Sequence, residues 1–178
     1  MTGNRAKKLT KEQKITIPRG AKKNDLFPLE VSLEDFVKNL ELPADLDMPL
    51  AEYQKYVYDS IHNPATESNA MMLGKFADGG ETSYIGKAKT EPQSTYFDMG
   101  DDFNKLRDEK CNGDNAKMFE YFNKPALDFA TDNKKTIKFS HDPEVDKGAL
   151  GEEWKYLTKE KGYIYDADSM TAYPPINN

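Results

Sequence analysis

One of only two histidines in this 178-residue chain lies in Phe139-Ser140-His141-Asp142-Pro143. The preceding run, Thr136-Ile137-Lys138-Phe139, has the composition of a short strand, and residues 150–161 have the spacing of a helix. In open α/β sheets such junctions gather at one edge and bind ligands there. Imidazole is the side chain best suited to moving a proton near neutral pH. Two further junctions have the same form. Ala70-Met71-Met72-Leu73 ends at Gly74-Lys75, and Ser94-Thr95-Tyr96-Phe97 ends at Asp98-Met99-Gly100-Asp101. If the three strands run parallel, their ends bring a cation, carboxylates and an imidazole to one rim, a set able to bind a phosphate or ribose and move a proton. The catalytic candidates are therefore His141 as general acid or base, Asp98 or the adjacent Asp142 to orient it, and Lys75 as a point charge for phosphate. Ser83 and Tyr84 follow a Gly79-Gly80 turn at a helix start, where backbone N–H groups favour anions. With Ser140 and Glu153 they are the candidates for substrate contact.

Each residue also has a plainer role. His-Asp-Pro is a common turn, with Asp142 capping the next helix, and Lys75 can be an ordinary solvent lysine. Asp98, Asp101 and Asp102 can hold a divalent cation or cap a helix beginning at Phe103. Glu152-Glu153 are expected on a solvated helix face, with one of them near the His141 turn. Gly79-Gly80 matches neither nucleotide-binding fingerprint, and no HExxH, GxSxG or EF-hand pattern is present. Cys111 is the only cysteine, which excludes an internal disulfide and multi-cysteine zinc sites. No metal and no cofactor is expected.

The elements that must position these residues follow from periodicity. Residues 1–24 read as a basic extended arm, with a short strand at Lys14-Ile15-Thr16-Ile17 ended by Pro18-Arg19-Gly20. Residues 25–66 read as a helical, acidic segment. Ser32 is its N-cap, and Tyr53, Tyr56, Val57 and Ile61 form a packing stripe. Residues 67–178 read as an α/β domain. Its helices are expected at 81–89, 103–110, 116–132 with a kink at Pro125, and 150–161 closed by Gly162. Two last strands, at 163–165 and 170–173, form a hairpin around Asp166-Ala167-Asp168-Ser169. Strands alternating with helices predict an α/β fold: a small, mostly parallel sheet with helices on its faces, preceded by the helical segment and the arm.

Charge divides the chain. Residues 1–23 carry eight basic residues and one acid, whereas the remainder carries 17 basic residues and 30 acids. A basic arm on an acidic body suits contact with nucleic acid, an anionic surface or an acidic partner. The acidic body argues against tight non-specific duplex binding. Hydrophobic residues make up 37%, so a modest core is expected. No stretch is long and apolar enough to span a membrane, and the N-terminus has no signal-type apolar run.

Several stretches, in order and spacing, resemble the C-terminal toxin domains of bacterial polymorphic toxins, the effector tips of contact-dependent inhibition and Rhs-type proteins. They are Met72-Leu73-Gly74-Lys75-Phe76, Thr82-Ser83-Tyr84, Thr95-Tyr96-Phe97-Asp98-Met99-Gly100-Asp101, Met118-Phe119 with Asn123 and Ala126-Leu127-Asp128, Phe139 to Pro143, Glu153 to Leu157, and Gly162-Tyr163. The likeness spans roughly residues 70–165 and consists of patterns rather than a catalytic signature. It implies a protein secreted or surface-delivered by one bacterium, acting in the cytoplasm of a target cell and neutralised by a cognate immunity protein. Toxin tips of this kind are most often nucleases, frequently against tRNA, and less often act on NAD or transfer ADP-ribose. The first expectation is a monomeric, metal-independent RNase using His141. The alternatives are an NAD-consuming enzyme, with Asp98, Asp142 or Glu153 facing the ribose, and a non-enzymatic interaction domain.

Overall fold

The structure is a computed structural model that describes residues 25–76 and 79–176. The basic arm of residues 1–24, with its expected strand at 14–17, lies outside the described residues. In chain order the elements are α1 (Leu33–Lys38), α2 (Leu50–Ser60), β1 (Ile61–His62), β2 (Ala70–Leu73), α3 (Tyr84–Ala88), β3 (Tyr96–Phe97), α4 (Asp102–Lys110), α5 (Asn115–Met118), α6 (Lys124–Asp132), β4 (Thr136–Phe139), α7 (Ala149–Lys155), β5 (Ile164–Asp166) and β6 (Thr171–Tyr173).

The chain is α/β, but its main sheet is mixed rather than mostly parallel. The strand order is β2-β4-β6-β5. β2 and β4 pair in parallel from Ala70–Thr136 to Leu73–Phe139. β6 runs antiparallel to both β4 and β5. The reason is the length of the connections. The helical stretch between β2 and β4 is long enough to carry the chain back for a parallel pairing, whereas β5 and β6 are joined by a tight turn that permits only the antiparallel one. Asp166 organises that turn by accepting from Asp168 N–H at 3.3 Å and Ser169 O–H at 2.7 Å.

β3 does not join the main ladder as a full strand. It pairs antiparallel with β1, a two-residue strand where the sequence pattern predicts the end of a helix. The residue before it, Thr95, still bridges in parallel to Met71. Met72 N–H donates to Thr95 O and Thr95 N–H to Ala70 O, each at 2.8 Å. The ends of β2, β3 and β4 therefore leave the sheet in the same direction.

The helix expected over 116–132 is two α-helical pieces, α5 and α6, joined by a π-helical turn at Phe119–Asn123. Pro125 explains the break. It has no N–H to offer the carbonyl four residues back, which is that of Tyr121. The Tyr53 hydroxyl of α2 donates to that carbonyl instead, at 2.7 Å. Tyr53 is 2% exposed, and burial lifts its phenol to about 12. Its ring lies 5.6 Å from that of Phe122. The predicted tyrosine stripe is thus a packing surface, and one of its hydroxyls repairs the kinked helix.

The front segment is stitched to the sheet by buried polar groups. Ser32 caps α1 by accepting from Asp35 N–H. Asn133 Oδ1 accepts from Glu30 N–H and Val31 N–H at 2.8 and 2.9 Å, and its amide donates to Phe129 O. Lys135 is fully buried beside β4, with its ammonium on Asn69 Oδ1 at 3.1 Å, and burial lowers its pKa to about 8. Leu33, Phe36, Tyr53 and Val57 join Phe122, Phe129, Ile137 and Leu157 in one hydrophobic cluster.

Removing the Tyr53 hydroxyl leaves a buried carbonyl short of a donor without altering the packed ring. Tyr53→Phe is expected to cost about 1–3 kcal/mol of stability. Urea denaturation of the two proteins checks this, and an unchanged midpoint would show that the Tyr121 carbonyl is satisfied elsewhere.

Candidate functional site

The ends of β2 and β3 open onto a cleft of about 770 Å³, while the end of β4, with Ser140 and His141, lies outside its lining. β2 contributes Leu73, Gly74, Lys75 and Phe76. The corner after β3 contributes Phe97, Asp98, Gly100 and Asp101. Phe103 and Asn104 come from α4, Tyr84 from α3 and Asn123 from the π-helical turn. Asp146, Leu150 and Glu153 come from α7 and the loop before it.

Close backbone approaches bring these segments together. At the end of β2, Ser140 N–H donates to Leu73 O at 2.8 Å, which carries the β2–β4 ladder one step past the strands. A Cβ on Gly74 would meet Ser140 Cβ at 2.9 Å and Tyr84 Cβ at 3.0 Å, so only glycine passes between them. On α7, a Cβ on Gly151 would come within 2.2 Å of the Asp146 carbonyl oxygen. That contact seats the Asp146 loop on the helix start, where Asp146 Oδ1 accepts from Gly148 N–H at 2.7 Å and Gly151 N–H at 3.2 Å. The second oxygen of Asp146 lies 3.9 Å from Lys75 Nζ.

The Asp98 corner is held from below. His62, the other histidine, donates through Nε2 to the Asp98 carbonyl at 2.9 Å and stacks on Tyr96 at 4.8 Å. Asp98 Oδ1 accepts from Gly100 N–H at 2.9 Å. The Tyr84 hydroxyl donates to Phe97 O. Burial, reinforced by the charges of Glu153 and Asp98, pushes that phenol far above its ordinary value.

Glu153 is the most perturbed acid in the cleft. It is 6% exposed, and burial drives its carboxyl from 4.5 up to about 7. Asp146 pushes the same way, while the Asn123 amide opposes both by donating to Glu153 Oε2 at 3.3 Å. The expectation of a solvated helix face holds for Glu152, which is exposed, but not for Glu153. Asn123 is 7% exposed, and its Oδ1 is buried with no hydrogen-bonding partner among the described residues.

The sequence-predicted candidates divide by location. Lys75, Asp98, Tyr84 and Glu153 line the cleft together. Ser140 and His141 stand beside its Gly74-Lys75 edge. Lys75 N–H donates to His141 Nδ1 at 3.1 Å, and Ser140 Oγ lies 2.7 Å from the same nitrogen. With Nδ1 accepting, neutral His141 carries its hydrogen on Nε2. Burial and the ammonium groups of Lys87 and Lys75 hold its pKa below the ordinary value. Ser83 is buried and caps α3, accepting from Gly86 N–H at 3.0 Å. Asp142 is exposed and does not cap the next helix as expected: it accepts from Glu144 N–H at 2.9 Å in a local turn, and α7 begins at Ala149 after Gly148 with no side-chain cap. Asp101 precedes α4 without a side-chain capping bond. Among the described residues, no group of three His, Cys, Asp or Glu side chains is arranged to hold a metal ion.

Two residues that sequence reasoning left without a role are Asn123 and Asp146. Asn123 did carry a signal, since it falls four residues after Phe119 and four before Leu127, a polar side chain on an apolar stripe. Glu153 sits the same way between Leu150 and Leu157. Asp146 had no signal, because its place depends on how its loop folds back onto Gly151.

No family model, curated protein or solved structure matches the chain.

The Glu153 shift has a thermodynamic consequence. The folded chain holds this proton more tightly than the unfolded chain does. Its contribution is complete below pH 4.5 and disappears as pH rises through about 7. The span corresponds to roughly 3 kcal/mol. Glu153→Gln, which cannot titrate, is expected to remove that part of the pH dependence. The check is the difference in unfolding free energy between wild type and variant at pH 5 and pH 8, and a difference that stays constant would contradict a proton held there.

Proposed function

We propose that this chain is an enzyme that breaks the bond between a ribose and a ring nitrogen, with a dinucleotide of the NAD class as substrate. The observation that carries this reading is the composition of the cleft. Among the described residues that line it, the carboxylates of Asp98, Asp101 and Asp146 outnumber one cation, Lys75, and Phe76, Phe97 and Phe103 supply aromatic walls. Such a cleft repels a polyanion but favours a cationic ring, and it stabilises the positive charge that develops on a ribose as its glycosidic bond breaks.

The step balances without an added co-reactant. The C–N bond breaks with its electron pair moving to the ring nitrogen, which neutralises the pyridinium. A water oxygen bonds to the ribose carbon and gives its proton to Asp98, whose backbone carbonyl is held by His62 and whose carboxylate accepts from Gly100 N–H. In this reading Lys75, whose ammonium lies 3.9 Å from Asp146, holds a phosphate oxygen of the substrate. In keeping with the resemblance to effector tips, the enzyme would act inside a target cell and be held inactive by an immunity protein.

A second reading, an RNase, is favoured by one observation: His141, Lys75 and Lys87 form a small basic corner at the cleft's edge, with Lys87 Nζ on Ser140 O at 3.2 Å. Against it, His141 presents a donor rather than a lone pair at Nε2, which suits binding a phosphate better than removing a hydroxyl proton.

The purified protein is expected to consume NAD and release the free pyridine base. Asp98→Ala should lower turnover by about 10²-fold or more, the usual size of a general-base contribution. Chromatographic assay of NAD and the free base measures both. Unchanged NAD would remove the reading. Degradation of total RNA by wild type but not by His141→Ala would install the RNase in its place.

A further inference from the structure

We propose that His141, Lys87 and Lys75 form a phosphoryl-binding corner on the rim of the cleft, which holds the diphosphate of the nucleotide whose ribose lies inside. The inference rests on the reading that the cleft binds a ribosyl–nitrogen substrate, and it adds His141 and Lys87 to the residues that hold that substrate.

The His141 ring is fixed from behind. A backbone N–H can only donate, so the Lys75 N–H at 3.1 Å makes Nδ1 an acceptor. Ser140 Oγ touches the same nitrogen at 2.7 Å. The neutral imidazole therefore carries its hydrogen on Nε2. Among the described residues, nothing accepts that hydrogen. Nor is Nε2 sealed away: the buried side-chain polar atoms left without a partner among those residues are Asn123 Oδ1 and Trp154 Nε1. The half-buried His141 thus presents a donor that is oriented by the protein, open to solvent and free for a ligand.

Two ammonium groups reach the same corner from separate segments. Lys87 of α3 donates through Nζ to the Ser140 carbonyl at 3.2 Å, which anchors it beside His141 and leaves its other hydrogens for a second acceptor. Lys75 follows β2 and is exposed, with Nζ 3.9 Å from Asp146 Oδ2. Both act on the imidazole, and Asp146 is the carboxylate that opposes them. Asp146 is itself engaged through Oδ1 by Gly148 N–H and Gly151 N–H, and the neighbouring Asp142 accepts from Glu144 N–H in its own turn. The lysines supply the charge and the imidazole supplies direction. A diphosphate spreads its negative oxygens over neighbouring phosphorus atoms and meets donors arriving from several segments, whereas a carboxylate presents its pair in one plane. Lys75 belongs both to this corner and to the cleft lining, so one ligand can span the two.

The test uses the nitrogen-15-labelled full chain and follows the imidazole correlations of its two histidines by NMR near pH 7.5, with ADP as probe and adenosine as the phosphate-free control. ADP is expected to move the His141 Nε2 signal to saturation and to leave His62 in place, with adenosine at least about 10-fold weaker. Lys87→Gln, at an exposed position, should weaken ADP by about 10-fold, the size of one hydrogen bond from a charged group, with circular dichroism confirming the fold. His141 unmoved at millimolar ADP, equal binding of ADP and adenosine, or an unchanged affinity in Lys87→Gln overturns the corner. Displacement of ADP by a short oligoribonucleotide and not by NAD gives the corner to RNA and overturns the assignment to a dinucleotide. If NAD is consumed with the same KM by wild type and Lys87→Gln while ADP leaves His141 unmoved, the corner fails and the proposed reaction stands. If NAD displaces ADP from His141 yet stays intact, the corner stands and the reaction fails.

Discussion

The parallel pairing of β2 with β4 is the constraint on which the site depends. It extends past the strands through the Ser140–Leu73 hydrogen bond and sets Gly74 against Ser140. That contact aligns Lys75 N–H with His141 Nδ1 and packs the Tyr84 Cβ against Gly74, with Tyr84 N–H on Lys75 O. A residue with a β-carbon at position 74 would separate the two strand ends, and the cleft would lose one wall. The Thr95–Met71 bridge then brings the Asp98 corner to the same rim. Three loops distant in sequence thus meet because one ladder runs slightly beyond its strands.

The chemistry sits below this frame, in groups that globular interiors usually exclude. A carboxyl at 6% exposure loses its hydration, and that burial raises the pKa of Glu153 to about 7. Lys75 lies near Asp146. One cleft therefore holds acids in two kinds of surroundings. Glu153 is buried, with the Asn123 amide on one oxygen and the charge of Asp146 nearby, while Asp146 is bound to two backbone N–H groups at a helix start. Environments that separate two carboxyl groups in this way divide donor from acceptor work in many hydrolases.

Much of this was legible in the sequence, and the remainder was not for identifiable reasons. β2 and β4 fall where β-prone runs end at Gly-Lys and Ser-His, because short buried strands carry their own local signal. The sheet's direction did not, since parallel and antiparallel strands read alike and only the connections distinguish them. Lys75, Asp98 and Glu153 were found as candidates from junctions and helix starts, yet the buried setting of Glu153 depends on Asn123 and on how α7 rolls against the π-helical turn. Pro125 signalled a break in the helix. That the break would be absorbed by an inserted residue, aligning Asn123 with the cleft, required the Tyr53 hydroxyl from a segment far earlier in the chain. Polar residues on apolar stripes were the one available hint, and they pointed to both members of the pair.

The sheet order has a consequence for how the protein comes into being. β6, residues 171–173, lies between β4 and β5 rather than at an edge. During synthesis β4 emerges well before its neighbour and must wait with an open side until those late residues leave the ribosome. β5 likewise has no seat of its own without β6. The α7 helix that carries Glu153 sits in the interval between β4 and this late closure. The main sheet is therefore complete only after translation has passed Tyr173, whereas every residue that lines the cleft has already been made once Glu153 is added.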